Sequence, residues 1–229
     1  MFKRGHDYPG LWLCLEGGEG SGKDTQIKLL KESLQNKGYI VNVGREPGHT
    51  IVGKKIREIL QNPDIKEIDV KTETLLYIAA GIEFFKQSVK PVLEKGEIFL
   101  ANRGRWSTKA YQSYGNGIDM KAIDHLIDFS TDGSLPDLTY IIDIEARRGL
   151  GMLTSGEFEG HTKDKIEARG LEYHERVNQG YREIAEENRQ SCKIIPYIPG
   201  NKEKMQSQIR TLTQNFISHY NLEDKLARA

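Results

Sequence analysis

Short apolar runs alternate along this chain with longer stretches in which apolar side chains recur every three or four positions. Leu11–Glu16, Tyr39–Arg45, Glu97–Ala101, Leu138–Ile144 and Cys192–Ile198 read as strands, being short, rich in β-branched and aromatic residues and bounded by turn formers. The helical period predicts helices over Gly22–Lys37, Val52–Gln61, Lys71–Glu94, Met120–Phe129, Ile166–Arg189 and Lys202–Tyr220. Strand and helix alternate without internal repeat or low-complexity linker. That order predicts an α/β fold in one domain over residues 1–229, a five-stranded parallel sheet with helices on both faces. Ligands of such sheets bind outside the carboxyl ends of the strands. Three of those ends carry polar motifs.

The first strand empties into LEGGEGSGKDTQ. Backbone N–H groups can wrap phosphate oxygens only where no side chain intervenes, and a helix opening at Gly22 adds the positive end of its dipole. Gly17, Gly18, Glu19, Gly20, Ser21 and Gly22 therefore predict a phosphate cradle, with Lys23 neutralising β/γ-phosphate charge. The template Gly-x-x-x-x-Gly-Lys-Ser/Thr is met from Gly17 to Lys23, but Asp24 stands where a hydroxyl residue normally reaches Mg²⁺, and Thr25 follows it.

Arg45-Glu-Pro-Gly-His-Thr50 follows the second strand and Asn102-Arg103 the third. A lone arginine after a strand is often a solvated loop cation. Two of them at the edge that carries a phosphate loop suit donor and acceptor phosphates, which arginine forks bind bidentately.

Composition narrows the partners. Thirty-three Lys and Arg balance thirty-three Asp and Glu, which argues against a globally basic nucleic-acid binder. MFKRGHDYPG is too short and polar for an export signal, and no window resembles a membrane span. Cys14 and Cys192 sit in apolar runs, as buried free thiols of a reducing cytoplasm would.

LEGGEGSGKDTQ, REPGHTIVGKKIR, LLYIAAGIE, NRGRWSTKAYQSYGNGID, PDLTYIIDI and DKIEARGLEYHERVNQGY, in this order over roughly residues 11–189, together resemble the thymidylate kinase family of the bacterial type. The resemblance implies a P-loop NTPase fold, transfer of phosphate from ATP to dTMP with Mg²⁺, and a cytoplasmic homodimer. It implies that Glu19 contacts the acceptor's 3′-hydroxyl and that Arg45 and Arg103 hold its phosphate. Tyr77 would stack on the base, Thr108 would meet the base edge, and Tyr111 would pack beneath the deoxyribose. Arg147–Lys165 resembles the family's lid, and closure of such a flap excludes water. Leu75, Leu76, Ile78, Ile82 and Phe85 are candidates for a dimer interface and equally for core.

The chain departs from the pattern at three places. Asn102 replaces the usual aspartate, so Asp24, Thr25 and Asn102 are the candidate metal-site residues, with Asp24 restoring the negative charge. Gly81, one helical turn beyond Tyr77, takes the place of an arginine at the thymine edge. The lid carries Met152 and Thr154 where cations are expected, leaving Arg147, Arg148, Lys163 and Lys165. Two other readings stay open at this point: a kinase for another or modified deoxypyrimidine monophosphate, and a non-catalytic nucleotide-binding homologue.

Overall fold

The computed structural model describes residues 2–62, 64–154 and 164–228. In chain order the elements are β1 (Leu11–Gly17), α1 (Lys23–Gln35), β2 (Val41–Arg45), α2 (Ile51–Gln61), α3 (Val70–Phe84) and α4 (Lys90–Glu94). Then come β3 (Ile98–Asn102), α5 (Arg105–Thr108), α6 (Met120–Ser130), β4 (Leu138–Asp143), α7 (Ala146–Thr154), α8 (Leu171–Glu187), β5 (Cys192–Pro196) and α9 (Lys202–His219). Among the described residues the strands form one parallel sheet in the order β2-β3-β1-β4-β5. No described helix is long and apolar enough to cross a membrane.

Every residue of β1 is buried because the strand lies at the centre of the sheet with helices on both faces. Successive side chains of a strand point to opposite faces. Leu11, Leu13 and Leu15 accordingly enter the core built with Ile27, Leu30 and Leu34 of α1 and Ile209, Phe216 and Ile217 of α9. Trp12 and Cys14 enter the opposite core with Phe84, Phe85 and Leu93. Each fully buried leucine contributes about 1.5–3 kcal/mol through apolar transfer. A polar pair deep in the first core is satisfied, the Tyr140 and Thr213 hydroxyls lying 2.7 Å apart. Both cysteines are free and buried.

The predicted Lys71–Glu94 helix is divided. A wider turn over Phe85–Val89 separates α3 from α4, and Pro91 gives the reason: it lacks an N–H and its ring crowds the carbonyl four residues back. Ile78 and Phe85, proposed as interface or core, are core, at 5% and 1% exposure, whereas Leu75 is 55% exposed. The predicted Ile166–Arg189 helix begins only at Leu171. Two further helical stretches lie outside the predicted helices. Arg105–Thr108 continues through a wide turn over Lys109–Gly115, and the first part of the expected lid is α7. Residues 155–163 of the expected lid lie outside the described residues.

Candidate active site

The loop between β1 and α1 owes its path to glycine. Gly22 caps α1 in the left-handed conformation, φ 81°, with no side-chain cap bond, so the N-terminal N–H groups of α1 have no competing side-chain oxygen. Gly20 also has positive φ and meets α7 backbone to backbone. A Cβ there would fall 2.1 Å from the Gly149 carbonyl oxygen, and one on Gly149 would fall 2.1 Å from that of Glu19.

Lys23 is buried rather than lying on an exposed loop. Its ammonium donates to the carbonyls of Gly17 (3.0 Å) and Gly18 (2.9 Å) and to Ser21 Oγ (3.0 Å). Burial, reinforced by Arg103, pushes the Lys23 amine down to about 7 against the opposing pull of Glu19, Glu16 and Asp24.

Arg45 and Asn102 are register partners at the ends of β2 and β3, and both reach the carboxylate that α1 presents in its first turn. Arg45 Nη2 donates to Asp24 Oδ1 and Oδ2 at 2.7 and 2.8 Å, and Asn102 Nδ2 donates to Asp24 Oδ1 at 2.6 Å. Asn102 Oδ1 is buried and has no hydrogen-bond partner among the described residues. A carboxylate beside an unused amide oxygen fits a hard cation such as Mg²⁺, which takes oxygen ligands and keeps several waters. Thr25 lines the same cleft and is exposed.

Arg103 has φ 68°, uncommon for a side chain-bearing residue and concentrated at functional sites. Its Nη2 donates to Glu19 Oε1 at 2.8 Å, and its Nη1 reaches Gly17 O, Tyr181 OH and Ser107 Oγ at 3.1, 3.2 and 3.3 Å. The Tyr111 hydroxyl also donates to Glu19. Burial works against charge on Glu19, but Arg103 and then Lys23 outweigh it and hold the carboxyl at about 2. Glu19 is thus an anion among three polar neighbours.

A buried carboxylate that sequence reasoning did not single out fixes this arrangement. Glu16, at the end of β1, accepts from Gly104 N (2.9 Å), Ser107 N (3.1 Å), Ser107 Oγ (2.5 Å) and Tyr181 OH (3.0 Å). It holds the start of α5 and therefore the turn carrying Arg103. The available signal was a charged residue closing a strand that is otherwise apolar.

Lys23, Asp24 and Thr25 line a cleft of about 490 Å³, a volume usual for small-molecule sites, whereas Glu16 and Asn102 lie behind its wall. Glu19, Arg45, Tyr77, Arg103, Thr108 and Tyr111 all face it. So do Arg57 and Gln112, which the sequence reading passed over. Arg57 extends from α2 and donates to Pro47 O at 3.3 Å; burial, then Arg45, lowers its affinity for its proton. Gln112 is oriented by Glu73 and Thr74, at 3.2 and 3.0 Å.

The cations expected in the lid are not gathered here. Leu153 lines the cleft while Arg147 and Arg148 do not, and Arg148 lies over the Tyr197 ring at 5.5 Å. Lys165 donates to Ile65 O at 2.9 Å. Lys163 lies outside the described residues.

The chain matches the family profile described as thymidylate kinase over residues 15–209. It is 39% identical over 180 residues to a thymidylate kinase of Halothermothrix orenii, covering 79% of this chain and 86% of the relative. To a thymidylate kinase of an Exiguobacterium species it is 40% identical over 176 residues, covering 76% and 81%. The crystal structure of thymidylate kinase from Ehrlichia chaffeensis superposes with a TM-score of 0.72 at 30% identity, covering 90% of this chain and 98% of that one.

Proposed function

The chain belongs to the thymidylate kinase family, and from that premise and the geometry of the cleft we propose that it transfers the γ-phosphoryl group of ATP to dTMP, giving dTDP. The observation that carries this reading is the meeting, in one cleft, of the loop lysine Lys23 with Arg45 and Arg103 from two other strand ends, beside Tyr77, Thr108 and Tyr111.

The loop amides of residues 17–25 and Lys23 hold the donor phosphates. Lys23 exchanges its bonds to Gly17, Gly18 and Ser21 for phosphate oxygens, which raise its proton affinity again. Arg45 and Arg103 align the acceptor phosphate, so both reactants are held for in-line transfer without a covalent intermediate. Glu19, kept ionised by Arg103, accepts a hydrogen bond from the sugar 3′-hydroxyl, and Tyr111 packs beneath the deoxyribose. Tyr77 stacks on the base while Thr108 meets its edge. Asp24, Thr25 and Asn102 would hold Mg²⁺, whose charge would offset that of the phosphates.

The same reading makes the protein a cytoplasmic homodimer. Ile51, Val52, Ile59 and Leu75 are 82%, 45%, 42% and 55% exposed on α2 and α3, and apolar side chains so exposed suit a self-complementary interface.

The test is a steady-state assay of ATP and Mg²⁺ with dTMP, dCMP and UMP. Turnover of dTMP is expected, with UMP poor because Tyr111 closes the space of a 2′-hydroxyl. Absence of dTMP turnover in folded protein overturns the proposal.

A further inference from the structure

Glu46, Tyr77 and Thr108 line the cleft and also a second, smaller cavity behind it. This cavity reaches back between α3, α6 and the start of β1, where Trp12, Gly81 and Arg105 face it. Its free space is about 10 Å³, that of one water-sized group.

The lining is polar in an unusual way. Trp12 Nε1, Arg105 Nε and Arg105 Nη1 are all buried without a hydrogen-bond partner among the described residues. The Arg105 side chain is only 8% exposed, and its remaining contacts point elsewhere: Nη2 donates to Asp128 Oδ1 at 3.2 Å, and the guanidinium lies 4.6 Å from the Trp106 ring centre. An acceptor faces the same space. A Cβ on Gly81 would lie 3.0 Å from Glu46 Oε1, and one on Gly104 would lie 3.8 Å from Glu46 Oε2. Buried donors normally find partners, so three without one around a single hole mark a place built for a polar guest. A side chain at position 81 would crowd Glu46 at its edge; glycine leaves it open.

With the acceptor phosphate at Arg45 and Arg103 and the sugar over Tyr111, the ring edge farthest from the sugar enters deepest. In a thymine-like base C4 carries only its carbonyl oxygen, so additional atoms can reach the cavity only from C5. We propose that this cavity is a subsite for a small hydrogen-bonding substituent on C5, and that the enzyme phosphorylates 5-hydroxymethyl-dUMP as well as dTMP. The inference rests on the reading of the cleft as a dTMP site. The reaction is unchanged: the bond from the γ-phosphorus to the bridging oxygen of ADP breaks as a bond to the acceptor's phosphate oxygen forms. The hydroxyl of the C5 substituent accepts from Arg105 or Trp12 and donates toward Glu46.

The experiment compares kcat/KM for dTMP and 5-hydroxymethyl-dUMP in the native protein, Gly81→Ala and Arg105→Lys. Alanine suits a helix interior and narrows the entrance, while lysine keeps the charge beside Asp128 but withdraws the fixed fork. In the native protein the hydroxymethyl substrate is expected within about tenfold of dTMP, and each variant is expected to lower that ratio about tenfold. A native ratio worse than about tenfold overturns the subsite, as does a ratio that neither variant moves. If dTMP itself is not turned over, the underlying reading fails instead, and the two failures are told apart by the dTMP rate alone.

Discussion

Asn102 Nδ2 lies 2.6 Å from Asp24 Oδ1, joining the end of β3 to the first turn of α1 through a single hydrogen bond. The carboxylate at this corner thus comes from α1, one position after the loop lysine, and the strand end contributes an amide. Asp24→Ala is expected to raise the Mg²⁺ concentration for half-maximal activity about tenfold or more, and Asn102→Asp to preserve or lower it. Mg²⁺ titrations of both variants check this. An unchanged requirement in Asp24→Ala assigns the role to Thr25 or solvent.

Lys23→Ala is expected to reduce kcat by about 10²–10³-fold or more, as loss of a preorganised charge at the transferring group does. Its ammonium is desolvated on loop carbonyls, so the melting temperature should hold. A second readout is protonic. With the free amine near 7 and the bound amine higher, ATP binding should take up a proton above pH 7, and affinity should fall as pH rises. Calorimetry at pH 8 in buffers of different ionisation enthalpy measures the uptake, which Lys23→Ala should abolish.

Glu46 gives a pH signature in stability rather than in ligand affinity. Burial, and then Glu16, pushes its carboxyl up to about 8. A carboxyl raised in the folded state stabilises while protonated, and that contribution is lost as pH rises from the unfolded value toward the folded one. Native protein should thus lose melting temperature between about pH 5 and 8 more steeply than Glu46→Gln. Parallel slopes would show that Glu46 is ionised throughout.

Gly81→Arg tests the base pocket from the other side. The new guanidinium would approach Glu46 Oε1, which lies 3.0 Å from the position of a Cβ at this site, and would present a fork to the base edge. Preference for dTMP over dUMP, measured as a ratio of kcat/KM, is expected to sharpen several-fold. No sharpening in a folded variant means that discrimination resides in Thr108 or Gln112.

The sheet was legible because each strand is a compact apolar run, and β1 shows why: its odd and even residues feed two separate cores, leaving no polar position until Glu16. Lys23, Arg45 and Arg103 were legible because a parallel sheet delivers all its strand ends to one edge. Other features depend on contacts distant in sequence. The helix after Arg103 exists where Glu16 accepts Gly104 N and Ser107 N across |i−j| separations of 88 and 91, which no local period announces. Burial of Lys23 follows from the loop folding over it. Arg57 looked like any helix-surface cation until α2 was placed beside Arg45. Trp12 Nε1, Arg105 Nε and Arg105 Nη1, without partners among the described residues, are brought together only where β1, α3 and α6 enclose them.

The backbone contact between Gly20 and Gly149 has a mechanical meaning. With no side chain on either strand of that joint, there is no compressible layer to absorb displacement, and the two carbonyls bear directly on the opposing glycines. If the phosphate loop shifts on gripping a nucleotide, α7, whose Leu153 borders the same cleft, must shift with it. A single methyl group at either glycine would meet a facing carbonyl oxygen at 2.1 Å and is expected to part the loop from the helix.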